Sequence, residues 1–299
     1  MSRCAYDSDL SDREWQKIAP LIPKAKPGGR SRTQEPREIA NAIFYMVKVG
    51  GPWRLLPHDL PKWQTVYYYF RRWETDGTWE RIHDCLRAEV RIRAGRKVEP
   101  SAGSVDTQSV KTAHNATEVG FDGGKKIQGR KRHIVVDTLG LLLGVFVHSA
   151  GRSEQAGFKL LLQWFADFWL LLQLLWVDSS YRGADFIKSV QQTTGLTLQP
   201  VLRPAGQKGF EVIPRRWLVE RTFSWFNHYR RLSKDYEFLP TKARADDLHS
   251  HDSFDVEAVD AETASYLKPF RLFKQLLRSL ISFLTKFLTS FQLALGVDS

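Results

Sequence analysis

The chain has 299 residues, 42% hydrophobic and 12% aromatic, which is enough apolar content to bury a core and excludes a wholly disordered chain. Two cysteines, Cys4 and Cys85, exclude a disulfide scaffold and a cysteine-rich zinc site. A net charge of +11 favours a polyanionic partner, nucleic acid before membrane, because basic side chains that neutralise phosphates release counterions.

Residues Met1 to Leu10 hold no apolar run of the signal-peptide kind, so a cytoplasmic protein is expected. The charge is uneven: residues 1–100 carry +6, residues 201–240 carry +4, residues 241–265 carry −5 and residues 266–299 carry +4. The first hundred residues read as helices. Ser11 with Glu14 three positions on is a capping-box pattern, and Pro20 and Pro23 end that helix. A basic loop, Lys24 to Thr33, follows. A second helix runs from about Glu35 to Val49, and Gly50-Gly51-Pro52 breaks it. A third, from Trp63 to about Gly77, sets Trp63, Val66, Tyr67, Phe70 and Trp73 on one face, which is the spacing of a core rather than of base stacking. Arg71 and Arg72 on this helix are candidate phosphate contacts. A fourth helix spans roughly Thr78 to Ile92.

Composition shifts at Gly95 to Gly103, where a boundary is expected. Beyond it, strands are expected at 104–110, 132–137, 141–147, 174–178 and 196–202. Helices are expected at 155–172, 184–192 and 215–231. The first three strands make a meander, and the later ones, alternating with helices, pair in parallel. Leu160 to Val177 is apolar over about a membrane-spanning length, but Gln163, Asp167 and Gln173 interrupt it, so a buried helix and a buried strand are expected there and a membrane partner is not.

Three carboxylates occupy positions that such a fold converges. Asp106 lies in the first strand, Asp178 ends the fourth, and Glu220 lies on the helix after the fifth, at separations of 72 and 42 residues. Three hard oxygen ligands without a histidine cluster suit Mg²⁺, and a pair of such ions suits phosphoryl transfer. Ordinary roles compete with this one: an aspartate at a strand end often caps a turn, and Arg216 with Glu220 makes an i,i+4 pair.

Several long segments carry a resemblance. They are 53–59 (Trp-Arg-Leu-Leu-Pro-His-Asp), 63–73 (Trp-Gln-Thr-Val-Tyr-Tyr-Tyr-Phe-Arg-Arg-Trp), 105–111 (Val-Asp-Thr-Gln-Ser-Val-Lys), 129–140 (Gly-Arg-Lys-Arg-His-Ile-Val-Val-Asp-Thr-Leu-Gly) and 215–223 (Arg-Arg-Trp-Leu-Val-Glu-Arg-Thr-Phe). From about Leu10 to Leu239 the chain resembles the DDE transposases of bacterial insertion sequences, specifically the insertion-sequence-5 group. The resemblance implies an α/β fold, with an RNase H-like (retroviral-integrase-like) catalytic domain at 100–240 preceded by an all-α DNA-binding domain at 1–95. Asp106, Asp178 and Glu220 would be the catalytic and metal-holding residues, with two Mg²⁺ ions for which Mn²⁺ can substitute. The implied reaction is cleavage at transposon ends followed by attack of the freed 3′-hydroxyl on target DNA. The implied partners are double-stranded DNA, as terminal inverted repeats and target, and further copies of the chain on that DNA, at the bacterial nucleoid. Lys111, Lys125, Lys126, Arg130, Lys131 and Arg132 are expected to grip phosphates near the metals, with Arg216, Arg230 and Arg231 supplying positive charge from the last helix. A nuclease without strand transfer and an inactive repressor bound at transposon ends are the alternative functions.

The chain departs from the family pattern in places. Ser179 and Ser180 follow Asp178 where glycines are common, and Ile213 and Asn227 stand where Tyr and Lys would flank the Arg216–Glu220 pair. An acidic linker at 241–265 precedes a tail, 266–299, in which Phe270, Phe273, Leu277, Leu280, Leu284, Phe287 and Phe291 recur at three and four residues, as in an amphipathic C-terminal helix.

Overall fold

The computed structural model describes residues 3–25, 28, 32–114, 116–164, 171–202 and 215–235. Part of the basic loop, the second half of the helix expected at 155–172, Ile213, the acidic linker and the C-terminal helix lie outside the described residues.

Helix α1 (Asp12–Ile18) begins with the capping box. The Glu14 amide donates to Ser11 Oγ at 3.3 Å, and the Ser11 amide donates to Glu14 Oε2 at 2.7 Å. Two of the amides that a helix start leaves over are thereby satisfied. Helix α2 (Pro36–Val49) ends on Gly50, whose φ of 75° only glycine adopts cheaply. A side chain there would also strike the Arg231 amide at 2.9 Å. Helices α3 (Trp63–Thr75) and α4 (Thr78–Arg93) bury Phe70, Trp73 and Trp79, and Trp79 packs edge-on to Trp73 at 5.4 Å. The aromatic density of this region is therefore core, as its spacing predicts.

Among the described residues, six strands form one mixed sheet. They are β1 (Ala102–Lys111), β2 (Gly120–Asp122), β3 (Ile127–Asp137), β4 (Leu142–Ser149), β5 (Leu174–Val177) and β6 (Thr197–Pro200). The order is β2-β3-β1-β5-β6, with β4 also on β3. The meander is antiparallel, and the β1–β5 and β5–β6 pairs are parallel, as expected. Strand β2 was not expected; it is a three-residue edge piece too short to show a period. Helices α5 (Glu154–Trp164) and α6 (Ala184–Thr194) pack on one face. The helix expected as one piece over 215–231 is two, α7 (Trp217–Phe226) and the single turn α8 (Arg230–Ser233). The chain breaks because Tyr229 and Leu232 turn inward, 7% and 1% exposed, to pack beneath α2.

A single cluster of buried side chains joins the helical region to the sheet. Ile39, Ile43, Phe44, Trp73 and Trp79 belong to the same core as Ile134, Val136, Val145, Val147, Val219 and Phe226. Arg91 on α4 adds a buried ion pair with Asp137 at the end of β3, and its Nε donates to the Lys97 and Val98 carbonyls. The 95–103 segment is thus fastened to α4.

Candidate active site

Strands β1 and β5 pair at Ala102↔Leu174, Gly103↔Leu175 and Ser104↔Trp176. That register has an offset of 72, the same as the separation of Asp106 from Asp178, so both carboxylates stand two residues beyond the last pair, on neighbouring parallel strands. This is the carboxyl end of β5 and of its ladder with β1, while β1 itself runs on to Lys111 against β3; open sheets place their ligands at such strand ends.

Asp106 is anchored by the Thr107 amide, which donates to its Oδ1 at 2.7 Å. Burial, with the charge of Asp178 adding to it, pushes Asp106 up to about 6, against the pull of the Thr107 amide, Arg216 and Lys125. Asp178 also does the ordinary job of a strand-end aspartate. It caps the 3-10 turn Ser179–Tyr181, accepting from the Ser180 amide at 2.8 Å and from the Ser180 hydroxyl. The two serines that depart from the family pattern thus form this turn.

Glu220 reaches the site from α7. The start of that helix is held to the sheet by Ser104 Oγ, which donates to the Arg215 carbonyl at 2.9 Å. The Arg215 guanidinium lies 4.3 Å from the centre of the Trp176 ring. Arg216 then stands between two of the carboxylates, its Nη2 3.7 Å from Asp106 and 3.9 Å from Glu220. Glu220 remains half exposed. Among the described residues, no three His, Cys, Asp or Glu side chains close around one point that could hold an ion. The donor set nevertheless fits a hard cation. All three groups are carboxylates, Asp106 and Asp178 are close enough to feel each other's charge, and a guanidinium already lies between Asp106 and Glu220.

The expected DNA-contacting residues separate into groups. Lys111, Lys126 and Arg230 are exposed. Lys125 is exposed too, and its Nζ donates to the Thr107 carbonyl beside Asp106 at 3.2 Å. Arg71 and Arg72 are half-buried, held by Glu74 and by the Tyr68 hydroxyl respectively. Arg130, Lys131, Arg132 and Arg231 correct the expectation, because all four are buried. Arg130 pairs with Asp235 at 2.7 Å, and Lys131 sits 3.4 Å from Asp122 and 4.0 Å from Glu154. Arg132 donates to the Leu232 carbonyl at 2.8 Å, and Arg231 to the Gly51 carbonyl at 3.0 Å. The basic run on β3 is interior because the α7–α8 segment covers one face of the strand and α5 the other.

Sequence reasoning missed a polar cluster behind Asp106. His133, fully buried, meets His148 edge-on at 4.8 Å, and Tyr181 lies beyond it at 6.4 Å. Among the described residues, neither nitrogen of His133, nor His148 Nε2, nor the Tyr181 hydroxyl has a hydrogen-bond partner. Burial holds both histidines neutral, His148 down to about 4, and pushes Tyr181 well up, with Asp106, Glu154 and Asp178 adding to that rise. The available signal was Tyr181 standing three residues after Asp178.

Comparison with known proteins places both parts of the chain among transposases. Residues 10–83 match the family model described as "Putative transposase of IS4/5 family", and residues 97–244 match the transposase DDE domain. The chain is 28% identical over 120 residues to the "Insertion element IS402 uncharacterized 16.2 kDa protein" of Burkholderia cepacia, covering 37% of this chain and 78% of that protein. It is 29% identical over 81 residues to "Uncharacterized protein y4sN" of Sinorhizobium fredii, covering 27% of this chain and 65% of that protein. With the two family models together covering most of its length, the chain belongs to the DDE-domain transposases of the IS4/5 insertion-sequence family.

Proposed function

We propose that the chain is an insertion-sequence transposase that cuts transposon ends and joins the freed 3′-hydroxyl to target DNA, with Asp106, Asp178 and Glu220 as its catalytic carboxylates. The observation that carries the reading is the shared offset of 72, which sets Asp106 and Asp178 side by side at the end of the β1–β5 ladder. On this reading the sheet is the RNase H-like catalytic domain of residues 100–240, and residues 1–95 bind DNA. The protein acts in the cytoplasm, at the nucleoid, as a homo-oligomer on DNA. No helix among the described residues is long and apolar enough to cross a membrane.

The three carboxylates would hold two Mg²⁺ ions, or Mn²⁺ in their place, which activate the attacking oxygen and stabilise the leaving one. Arg216 keeps Asp106 and Glu220 close before any ion arrives. Lys125, beside Asp106, and the exposed Arg230 give the phosphate backbone a positive surface. In the first step water adds to phosphorus as the bond to the 3′-oxygen breaks, and that oxygen leaves as a hydroxyl. In the second step the hydroxyl attacks a target phosphodiester, exchanging one P–O bond for another, so one site serves both steps.

The test is cleavage and strand transfer on the gene's own flanking DNA with Mg²⁺. Removing any one of the three carboxylates should lower cleavage by roughly three orders of magnitude, since a single electrostatic stabiliser is worth about 10²–10³. DNA binding should survive. Near wild-type cleavage by Glu220→Ala overturns the assignment. A second reading, an inactive occupant of transposon ends, draws on the half-exposed Glu220. It requires that wild-type protein bind end DNA and never cut it. Cleavage without joined product would instead indicate a nuclease.

A further inference from the structure

At the far ends of β1, β2 and β3, an open groove of about 560 Å³ is lined by Lys111, Lys126 and Lys234 together with His114, Gln128 and Phe121. Among the described residues no acidic side chain lines it. Its size falls within the ~300–1,000 Å³ of ligand sites. Phe121 is 58% exposed on the edge strand β2, which leaves its ring open to a stacking partner.

The walls are held firmly. A side chain at Gly129 would meet the Val110 carbonyl oxygen at 1.9 Å, and one at Gly120 would meet Ser149 Oγ at 2.1 Å. Strands β1 and β3 therefore approach too closely for a side chain at Gly129, and β2 lies equally tight against the end of β4, so Phe121 stands on a fixed mount. Lys111 and Lys126, in a lining that holds no carboxylate among the described residues, select an anion. An exposed ring beside them selects an anion with a flat apolar face, and an unpaired nucleotide has both. In a duplex the base faces are covered by their neighbours, so a paired strand offers the ring nothing to stack on.

We infer that this groove binds an unpaired stretch of DNA strand, with a base stacked on Phe121 and its phosphates on Lys111 and Lys126. Lys111 lies five residues beyond Asp106 on the same strand, ~16 Å at about 3.3 Å per residue. That is the span of about five base steps at 3.4 Å each. The groove thus takes DNA that has lost its pairing a few nucleotides from the cut. Only the origin of that strand rests on the transposase reading.

The experiment is fluorescence anisotropy of the full-length protein without divalent metal, comparing a short labelled single strand with a duplex of the same sequence. Phe121→Ala should weaken single-strand binding about 5- to 100-fold, the usual loss for one base–aromatic stack, and leave the duplex within about twofold. Phe121→Tyr should restore it. Lys111→Ala and Lys126→Ala should each flatten the single-strand salt dependence by about 0.7 in log–log slope. Unchanged single-strand binding by Phe121→Ala, or equal loss for strand and duplex, overturns the proposal. So does a free mononucleotide that competes as well as the strand. None of these results bears on Glu220→Ala cleavage, so this inference and the transposase reading can fail separately.

Discussion

The two faces of the sheet treat buried polarity differently. Toward α2, α7 and α8, Ile134, Val136, Val145 and Val147 join the helical region's core, and the long cations among them find acceptors for most of their nitrogens, Arg132 Nε and Arg221 Nε being left over. Arg130 reaches Asp235, and Arg132 reaches the Leu232 carbonyl. Toward α5 and α6, the alternate residues of the same strands include Val135 and Phe146 but also His133 and His148, whose ring nitrogens are left largely unpartnered. One face is built to hold the molecule together. The other leaves more of its buried polar atoms unsatisfied, on His133, His148 and Tyr181 directly behind Asp106.

Four substitutions test that contrast, the most damaging first. Arg91→Met breaks the buried pair that fastens α4 to the first face and leaves Asp137, fully buried, without its cation. Denaturant unfolding should show a loss of about 3–5 kcal/mol, whereas the double variant with Asp137→Asn should recover much of it. Next is the pH response of the second face. A histidine held near 4 binds fewer protons folded than unfolded between about pH 6.5 and 4, so its neutral burial costs stability as pH falls through that window. The slope is about 1.4 kcal/mol per pH unit for such a group, up to about 3 kcal/mol by pH 4. Asp106, raised to about 6, works in the opposite sense over roughly pH 4 to 6, its contribution falling as pH rises. The difference between wild type and His148→Gln therefore isolates the histidine. If the two proteins lose stability in parallel below pH 6, His148 is not buried neutral.

Gly157→Ala overpacks the same face. The new Cβ would stand 2.2 Å from His148 Nε2 and 2.7 Å from His133 Cε1, for a cost of about 1–3 kcal/mol read from the melting transition. The smallest effect is expected on the first face from Thr222→Val. It removes a hydroxyl that donates to the Gly140 carbonyl at 2.8 Å and should cost about 1 kcal/mol. A larger loss for Thr222→Val than for Gly157→Ala would reverse the ranking of the two faces.

The antiparallel meander and the parallel pairing of the later strands were legible because periodicity is a local fact, whereas spacing alone left Asp106 and Asp178 open to ordinary roles and the family resemblance singled them out. The fate of Arg130, Lys131 and Arg132 was not legible. Three successive basic residues look like a solvated arm, and nothing near them announces that both faces of β3 are covered. The acceptor for Arg130 stands 105 positions away, at Asp235. The break after Phe226 was hidden for a similar reason: Tyr229 continues the helical pattern of α7, and only the position of α2 decides that it turns inward. In Asp178 the ordinary role of a strand-end aspartate and the proposed catalytic one fall on the same carboxylate, which caps a turn and raises the charge around Asp106.

The short β1–β5 ladder gives the two aspartates mountings of unequal stiffness. Asp106 rides on a strand tied to β3 along its length from Gly103 to Lys111, and moving it means moving the sheet. Asp178 sits past the last β1–β5 pair, on a single turn whose cap it provides. Any adjustment of the gap between them falls to that turn, which yields by small rotations without breaking a ladder hydrogen bond. The pair behaves as a vice with one fixed jaw and one sprung jaw, and the spring is the serine pair Ser179-Ser180.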